Sequence, residues 1–196
     1  MGIDKHSPDQ QITDWQVSLR YLREGNERYR DGRTTIIQST SAADRDVMKS
    51  GQIPFATIIT CSDSRVAPEV YFDQRLGDIF VIRNAGNVVG EVALGTVEFA
   101  AEVVKTPLFV VVGHSDCRAV MGAYGGVKYE GYLEKVMERI RPALTGCRCV
   151  DEAIHANIGY VVNQIKSNEF VMRARGMVVG AYYDIETGAV AFGAAE

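Results

Sequence analysis

Two short stretches concentrate the side chains that bind soft metals or move protons. One is Cys61-Ser62-Asp63-Ser64-Arg65 and the other is Gly113-His114-Ser115-Asp116-Cys117. Zinc favours thiolate and imidazole ligands, so Cys61, His114 and Cys117 offer two sulfurs and one nitrogen to one ion per chain. Three protein ligands leave a fourth position for water, which separates a catalytic zinc site from a closed structural one. Asp63 and Arg65 sit close behind Cys61. A carboxylate there can accept a hydrogen bond from the reacting oxygen, with Arg65 holding it ionised through a bidentate pair. Alternatively, Asp63 itself occupies the fourth zinc position and shuts the site. Taken singly, each feature is ordinary: a strand-end cysteine is usually a core residue, and an Asp-x-Arg pair is often a surface ion pair. Their joint occurrence after two equivalent apolar runs is what argues for a site.

Those runs are Phe55 to Thr60 and Leu108 to Val112, each with the length and β-branched content of a buried strand. Ile79 to Ile82 and Met177 to Tyr183 read as two more strands, and Ala189 to Phe192 returns after a turn as an antiparallel edge. Between them, helices are expected at about 42–49, from Pro68, over 91–104, from Cys117 to Ala123, over 131–141 and over 151–167. The alternation predicts an α/β fold: a mostly parallel central sheet of about four parallel strands plus one antiparallel edge strand, flanked by helices. In such sheets ligands bind beyond the carboxyl ends of the strands, and Cys61, Arg83 and His114 lie just past three of those ends. An N-terminal helical arm, residues 1–33, begins near Trp15 behind a Thr13 or Asp14 cap and stops at Gly32. Trp15, Leu19, Leu22 and Tyr29 share one face of it, to be laid on a partner subunit or on the chain's own core.

With 196 residues the chain is expected to be a single domain, 1–196. A net charge of −4 and 46% hydrophobic residues are ordinary, and no basic stripe points to a nucleic acid. No apolar run approaches the roughly 20 residues that span a bilayer, so no membrane partner is expected. The start reads as no signal peptide, which points to the cytoplasm, where four cysteines are reduced or metal-bound. Cys147 and Cys149 form a C-x-C without a third ligand nearby, and read as partly exposed thiols.

The residues resemble the β-class carbonic anhydrases. The matches are C-x-D-S-R at Cys61–Arg65, F-V-x-R-N-x-x-N at Phe80–Asn87 and G-H-S-x-C at Gly113–Cys117, with weaker echoes at Glu24-Gly25-Asn26 and Gly180–Asp184. The resemblance implies a zinc lyase that hydrates carbon dioxide reversibly to bicarbonate and a proton by zinc-bound hydroxide. It carries Cys61, His114 and Cys117 over as zinc ligands and Asp63 with Arg65 as the catalytic dyad. Gln52 matches a glutamine whose amide contacts substrate. Phe80 matches a usual pocket wall, and apolar Ala85 and Phe99 would suit a substrate with no charge or dipole, although many relatives carry tyrosine at the last. The resemblance also implies a homodimer or dimer of dimers with the active site at the dimer interface. Arg118 departs from the family glycine and stands as a modifier of the site. It motivates two alternatives: a non-catalytic or regulatory zinc homologue, and a hydrolase of carbonyl sulfide or carbon disulfide.

Overall fold

The computed structural model describes residues 11–36, 41–47, 49 and 51–193. The first ten residues, and part of the Ser/Thr-rich link at 34–41, lie outside the described residues. Five strands form one sheet: β1 (Ala56–Cys61), β2 (Ile79–Asn84), β3 (Leu108–His114), β4 (Met177–Tyr183) and β5 (Val190–Phe192). Their order is β2-β1-β3-β4-β5, with β1 to β4 parallel and β5 antiparallel to β4. The chain therefore leaves β1 to one side for β2 and returns to its other side for β3. That reversal opens a crevice at the carboxyl ends of β1 and β3, where open α/β sheets bind their ligands.

β1 and β3 are buried along their whole length, as continuous Val/Ile-rich runs of a parallel sheet should be. Both run one or two residues further than the apolar pattern foretells. Pairing continues through Cys61 with Asn84 and through His114 with Tyr183, so Cys61 and His114 are the last residues of their strands rather than the first beyond them.

The helices are α1 (Trp15–Arg30), α2 (Ala42–Val47), α3 (Pro68–Tyr71), α4 (Glu91–Phe99), α5 (Arg118–Tyr124), α6 (Gly131–Ile140), α7 (Val150–Lys166) and α8 (Glu169–Arg173). Two features depart from the sequence reading. The expected 91–104 helix changes to a π-helical turn at Ala100–Val104 and ends on Lys105 in a left-handed conformation. The short α8, capped by the Asn168 side chain, is too brief for periodicity to reveal.

Helix α1 packs on its own chain. Asp14 caps α1 by accepting from the Gln16 backbone N–H, and Leu19 and Leu22 are buried in the core. α1 crosses α3 so closely that a Cβ on Gly25 would stand 1.7 Å from the Phe72 carbonyl oxygen. Next to it, the Asn26 amide donates to the Tyr71 and Gly188 carbonyls and accepts from the Val190 N–H. The Gly25-Asn26 pair is thus an anchor for the arm.

A second anchor is Asp73, whose side chain is fully buried and paired with Arg28 at 2.5 Å. It also accepts from the backbone N–H groups of Thr35 and Ile36. Asp73→Ala strands the mostly buried guanidinium and two amides, so a loss of about 3–5 kcal/mol is expected. Urea unfolding of the variant beside the wild type measures it.

Candidate metal centre and its flanking carboxylate

Each of the three candidate ligands is delivered by a different local device. Cys61 ends β1 and is 5% exposed. His114 ends β3, where α7 packs so tightly on Gly113 that an added Cβ would lie 2.6 Å from Ile158. Any side chain in the position before the histidine would have to push Ile158 aside. The chain then turns through Ser115 and Asp116, the latter at φ +56. The Ser115 N–H donates to the Tyr183 carbonyl, and its hydroxyl oxygen accepts from the Ile185 N–H, so the turn is tied to the end of β4. It brings Cys117 back to the N-terminal boundary of α5, buried.

The ligand atoms of Cys61, His114 and Cys117 lie within 4.8 Å of one another, a grouping that can hold a metal ion. The two sulfurs are 4.0 Å apart, within hydrogen-bond reach and not joined by a disulfide. His114 Nδ1 lies 2.8 Å from the Ser115 carbonyl oxygen. A carbonyl only accepts, so the proton is on Nδ1 and the lone pair is on Nε2. That Nε2 is buried and has no hydrogen-bond partner. A buried, unpartnered nitrogen beside two buried sulfurs is the donor set that suits zinc, with the imidazole oriented by a backbone carbonyl as metal-binding histidines usually are.

The two sulfurs share a hydrogen bond and so titrate as a pair. The Cys117 thiol lowers the Cys61 pKa, against burial, with help from His114 and the Asp63 and Gly86 N–H groups. Cys117 moves the other way, pushed up by Cys61 and by burial. Burial lowers the His114 imidazole, but the charge of the neighbouring Cys61 sulfur and the Ser115 carbonyl outweigh it and leave a net rise. One thiolate thus supports its neighbours' protons, and an incoming cation would displace those protons.

Asp63 belongs to Arg65 rather than to the ligand cluster. Arg65 Nε donates to Oδ1 at 2.9 Å and Nη2 to Oδ2 at 2.8 Å, while the Arg65 backbone N–H also reaches Oδ1 at 3.0 Å. This fork, above all its side-chain hydrogen bonds, holds the Asp63 carboxyl far below the ordinary carboxylate range. Of the two arrangements the sequence leaves open, the paired one is present.

Arg118 does not disturb that pair. It is exposed at the first turn of α5, and Arg65 keeps both carboxylate oxygens.

The remaining expected residues divide. Ala85 adjoins Gly86, whose N–H donates to Cys61 Sγ at 3.3 Å, so it flanks the cluster. Gln52 is exposed and precedes β1, whereas Cys61 ends it. The length of β1, roughly 20 Å at ~3.3 Å per residue, stands between them. Phe80 pairs with Thr57, four residues before Cys61, and stacks on Phe99 at 6.2 Å. Within one chain, then, Gln52, Phe80 and Phe99 are not gathered around the sulfurs. The reason is direction: Gln52 precedes β1, Phe80 lies near the amino end of β2 and Phe99, at the end of α4, stacks on it, whereas the ligands come from the carboxyl ends.

Arg83 is a site residue that sequence reading noted only as polar and past a strand end. It lies within β2, and its guanidinium donates to the Cys61 carbonyl at 3.2 Å and to the Asp63 carbonyl at 2.9 Å. It therefore fixes the backbone that carries both the first ligand and the carboxylate. The signal was its place in the F-V-x-R-N stretch.

Comparison with known proteins agrees with this geometry. A family model described as carbonic anhydrase matches residues 56–190. Carbonic anhydrase 2 of Mycobacterium tuberculosis is 38% identical over 186 residues, covering 88% of this chain and 89% of that protein. The carbonic anhydrase of Mycolicibacterium smegmatis is 34% identical, over 89% of this chain and 91% of its own. Among solved structures, the β-carbonic anhydrase CcaA superposes with a TM-score of 0.69 at 25% identity, covering 90% of this chain and 87% of that one. The tetrameric β-carbonic anhydrases of Sordaria macrospora share the fold, with a TM-score of 0.69 at 20% identity over 91% of this chain and 94% of theirs. A parallel sheet opening at β1 and β3, a Cys-His-Cys cluster in that opening and these relatives converge on one assignment: the chain belongs to the β-class carbonic anhydrase family of enzymes.

Proposed function

We propose that this chain hydrates carbon dioxide reversibly to bicarbonate and a proton, with one zinc ion held by Cys61, His114 and Cys117. The observation that carries the reading is the buried, unpartnered His114 Nε2 grouped with two buried thiols. When bound, zinc supplies Lewis acidity: it makes water acidic enough to act as a nucleophile near neutral pH and steadies negative charge forming on oxygen.

The chain's own residues do the rest. Arg65 keeps Asp63 ionised and aimed, leaving carboxylate lone pairs to accept a hydrogen bond from the attacking oxygen and orient it. Arg83 holds the 61–63 backbone so that ligand and carboxylate keep their spacing. Ala85 offers apolar surface beside Cys61, which suits a substrate without charge or dipole. Gln52, Phe80 and Phe99 serve the pocket of a second copy.

The open edge supports that last point. β2 is an outer strand, Phe80 and Val81 are only half-buried, and Val92, Phe99 and Val103 stand exposed on the neighbouring helix. An uncovered strand edge beside exposed apolar side chains is a pairing surface. The reading thus includes a homodimer or dimer of dimers. Sedimentation velocity should find a dimer or larger, and a monomer at micromolar concentration would contradict it. No helix among the described residues is long and apolar enough to cross a membrane. Residues 1–196 are taken as one domain with 1–33 as its arm, and a cytoplasmic location remains part of the reading on the cysteine chemistry given above.

Stopped-flow hydration of carbon dioxide tests the function, with carbonyl sulfide and carbon disulfide as competing substrates. Wild type and Arg118→Gly should both be active on carbon dioxide, within about twofold of each other, because the arginine is exposed and the Asp63–Arg65 pair is intact. Hydration appearing only in the glycine variant would instead establish the non-catalytic alternative for the natural chain.

A further inference from the structure

One buried polar residue near the cluster has no part in the scheme above. Asn157 sits on the sheet-facing side of α7, 1% exposed, in a row with Ile154, Ile158 and Val161. An amide among these side chains is costly, and its Oδ1 has no partner. A buried polar atom left without a partner is destabilising. Its Nδ2, however, donates to the Gly86 carbonyl oxygen at 3.0 Å, and the N–H of that same Gly86 donates to Cys61 Sγ at 3.3 Å.

Gly86 needs this support. It sits at φ +68, and an added Cβ would stand 2.7 Å from Ile140 Cδ1. Ile140 closes the space on one side, and the Asn157 amide grips the carbonyl. Together they set the direction of a short loop that otherwise has freedom to tilt.

We propose that Asn157 is a positioning residue for the metal: by holding the Gly86 carbonyl it aims the Gly86 N–H at the Cys61 sulfur. An N–H donated to a thiolate withdraws electron density from it and fixes its lone-pair direction, so Asn157 sets how strongly Cys61 grips the ion. The inference rests on the metal reading given above and goes beyond it in naming what tunes one ligand.

Metal-free wild type and Asn157→Leu are titrated with zinc against a competing chelator, and with cobalt(II) as a spectroscopic probe. Leucine keeps the volume and removes the donor. The variant should lose about ten- to a hundredfold in zinc affinity, and its sulfur-to-cobalt charge-transfer band should move. A mere staple between α7 and the loop would lower stability without moving that band. A folded variant with wild-type affinity and an unmoved band overturns the proposal.

A second measurement needs no variant. In wild type loaded with an NMR-active cadmium isotope, the Gly86 amide proton should couple to cadmium through the hydrogen bond, and the Asn157 side-chain amide should couple to the Gly86 carbonyl carbon. Absence of either coupling overturns the proposal. A wild type that takes up no metal overturns the metal reading as well, so the two failures are distinguishable.

Discussion

Cys61→Ser is expected to take up no zinc at stoichiometric metal and to hydrate carbon dioxide no faster than buffer. A serine hydroxyl stays protonated near neutral pH and is a poor ligand for a soft cation, whereas the Cys61 thiol is lowered by its neighbours towards the thiolate that binds metal. The substitution also removes the one donor from β1, leaving His114 and Cys117, which lie three residues apart on one turn. Two ligands from a single loop bind far less tightly than three from separate elements. A second consequence follows from linkage. Metal that binds only the folded chain raises its stability, whereas a chain without the site gains nothing. Added zinc should therefore raise the unfolding temperature of metal-free wild type and leave that of Cys61→Ser unmoved. Metal analysis, calorimetry and stopped-flow rates together check the prediction, and retention of equimolar zinc by the serine variant would count against it.

Asp63→Asn should keep its zinc and lose rate. The asparagine retains one oxygen and the size of the side chain, so the cluster of Cys61, His114 and Cys117 is not disturbed. What disappears is the charge that Arg65 grips through two parallel hydrogen bonds at 2.8 and 2.9 Å. The amide nitrogen now faces the guanidinium, two donors opposed, and the side chain turns away. A group that positions or exchanges a proton in the reaction contributes typically 10²–10⁴-fold, so kcat/KM is expected to fall at least about a hundredfold. Arg65→Ala should reproduce part of that loss by freeing the carboxylate. Unchanged kcat/KM in both variants, at full zinc content, would remove the pair from the reaction and leave it a structural turn.

The sheet was legible because parallel strands buried on both faces announce themselves as apolar runs, and the spacers between them carry helix periodicity and turn residues. The juxtaposition of Cys61, His114 and Cys117 was legible for a related reason: residues at the ends of β1 and β3 can only meet at the crevice between them. What escaped was whatever depends on long-range closure. Asn157 reads from sequence as one polar residue on an amphipathic helix, and only packing brings it to Gly86, 71 residues away. Arg83 is visible as a charge near a strand end but not as the group that pins two carbonyls across to β1. Gln52, Phe80 and Phe99 show the converse. The family resemblance and apolar character assign them to the pocket, and strand direction places them at the other end of the sheet within the chain. The arm's destination turned on buried polar anchors, Asn26 and Asp73, that periodicity of Leu19 and Leu22 alone does not show.

The central claim is that three buried side chains from two strand ends hold one zinc ion while Asp63 stays with Arg65. A crystal structure of the zinc-loaded protein, with diffraction recorded on both sides of the zinc absorption edge, tests it most directly. The account predicts one anomalous peak per chain, bonded to the sulfurs of Cys61 and Cys117 and to Nε2 of His114, with the Asp63 carboxylate still forked on Arg65. A peak elsewhere, or Asp63 bound to the ion in place of solvent, would contradict it.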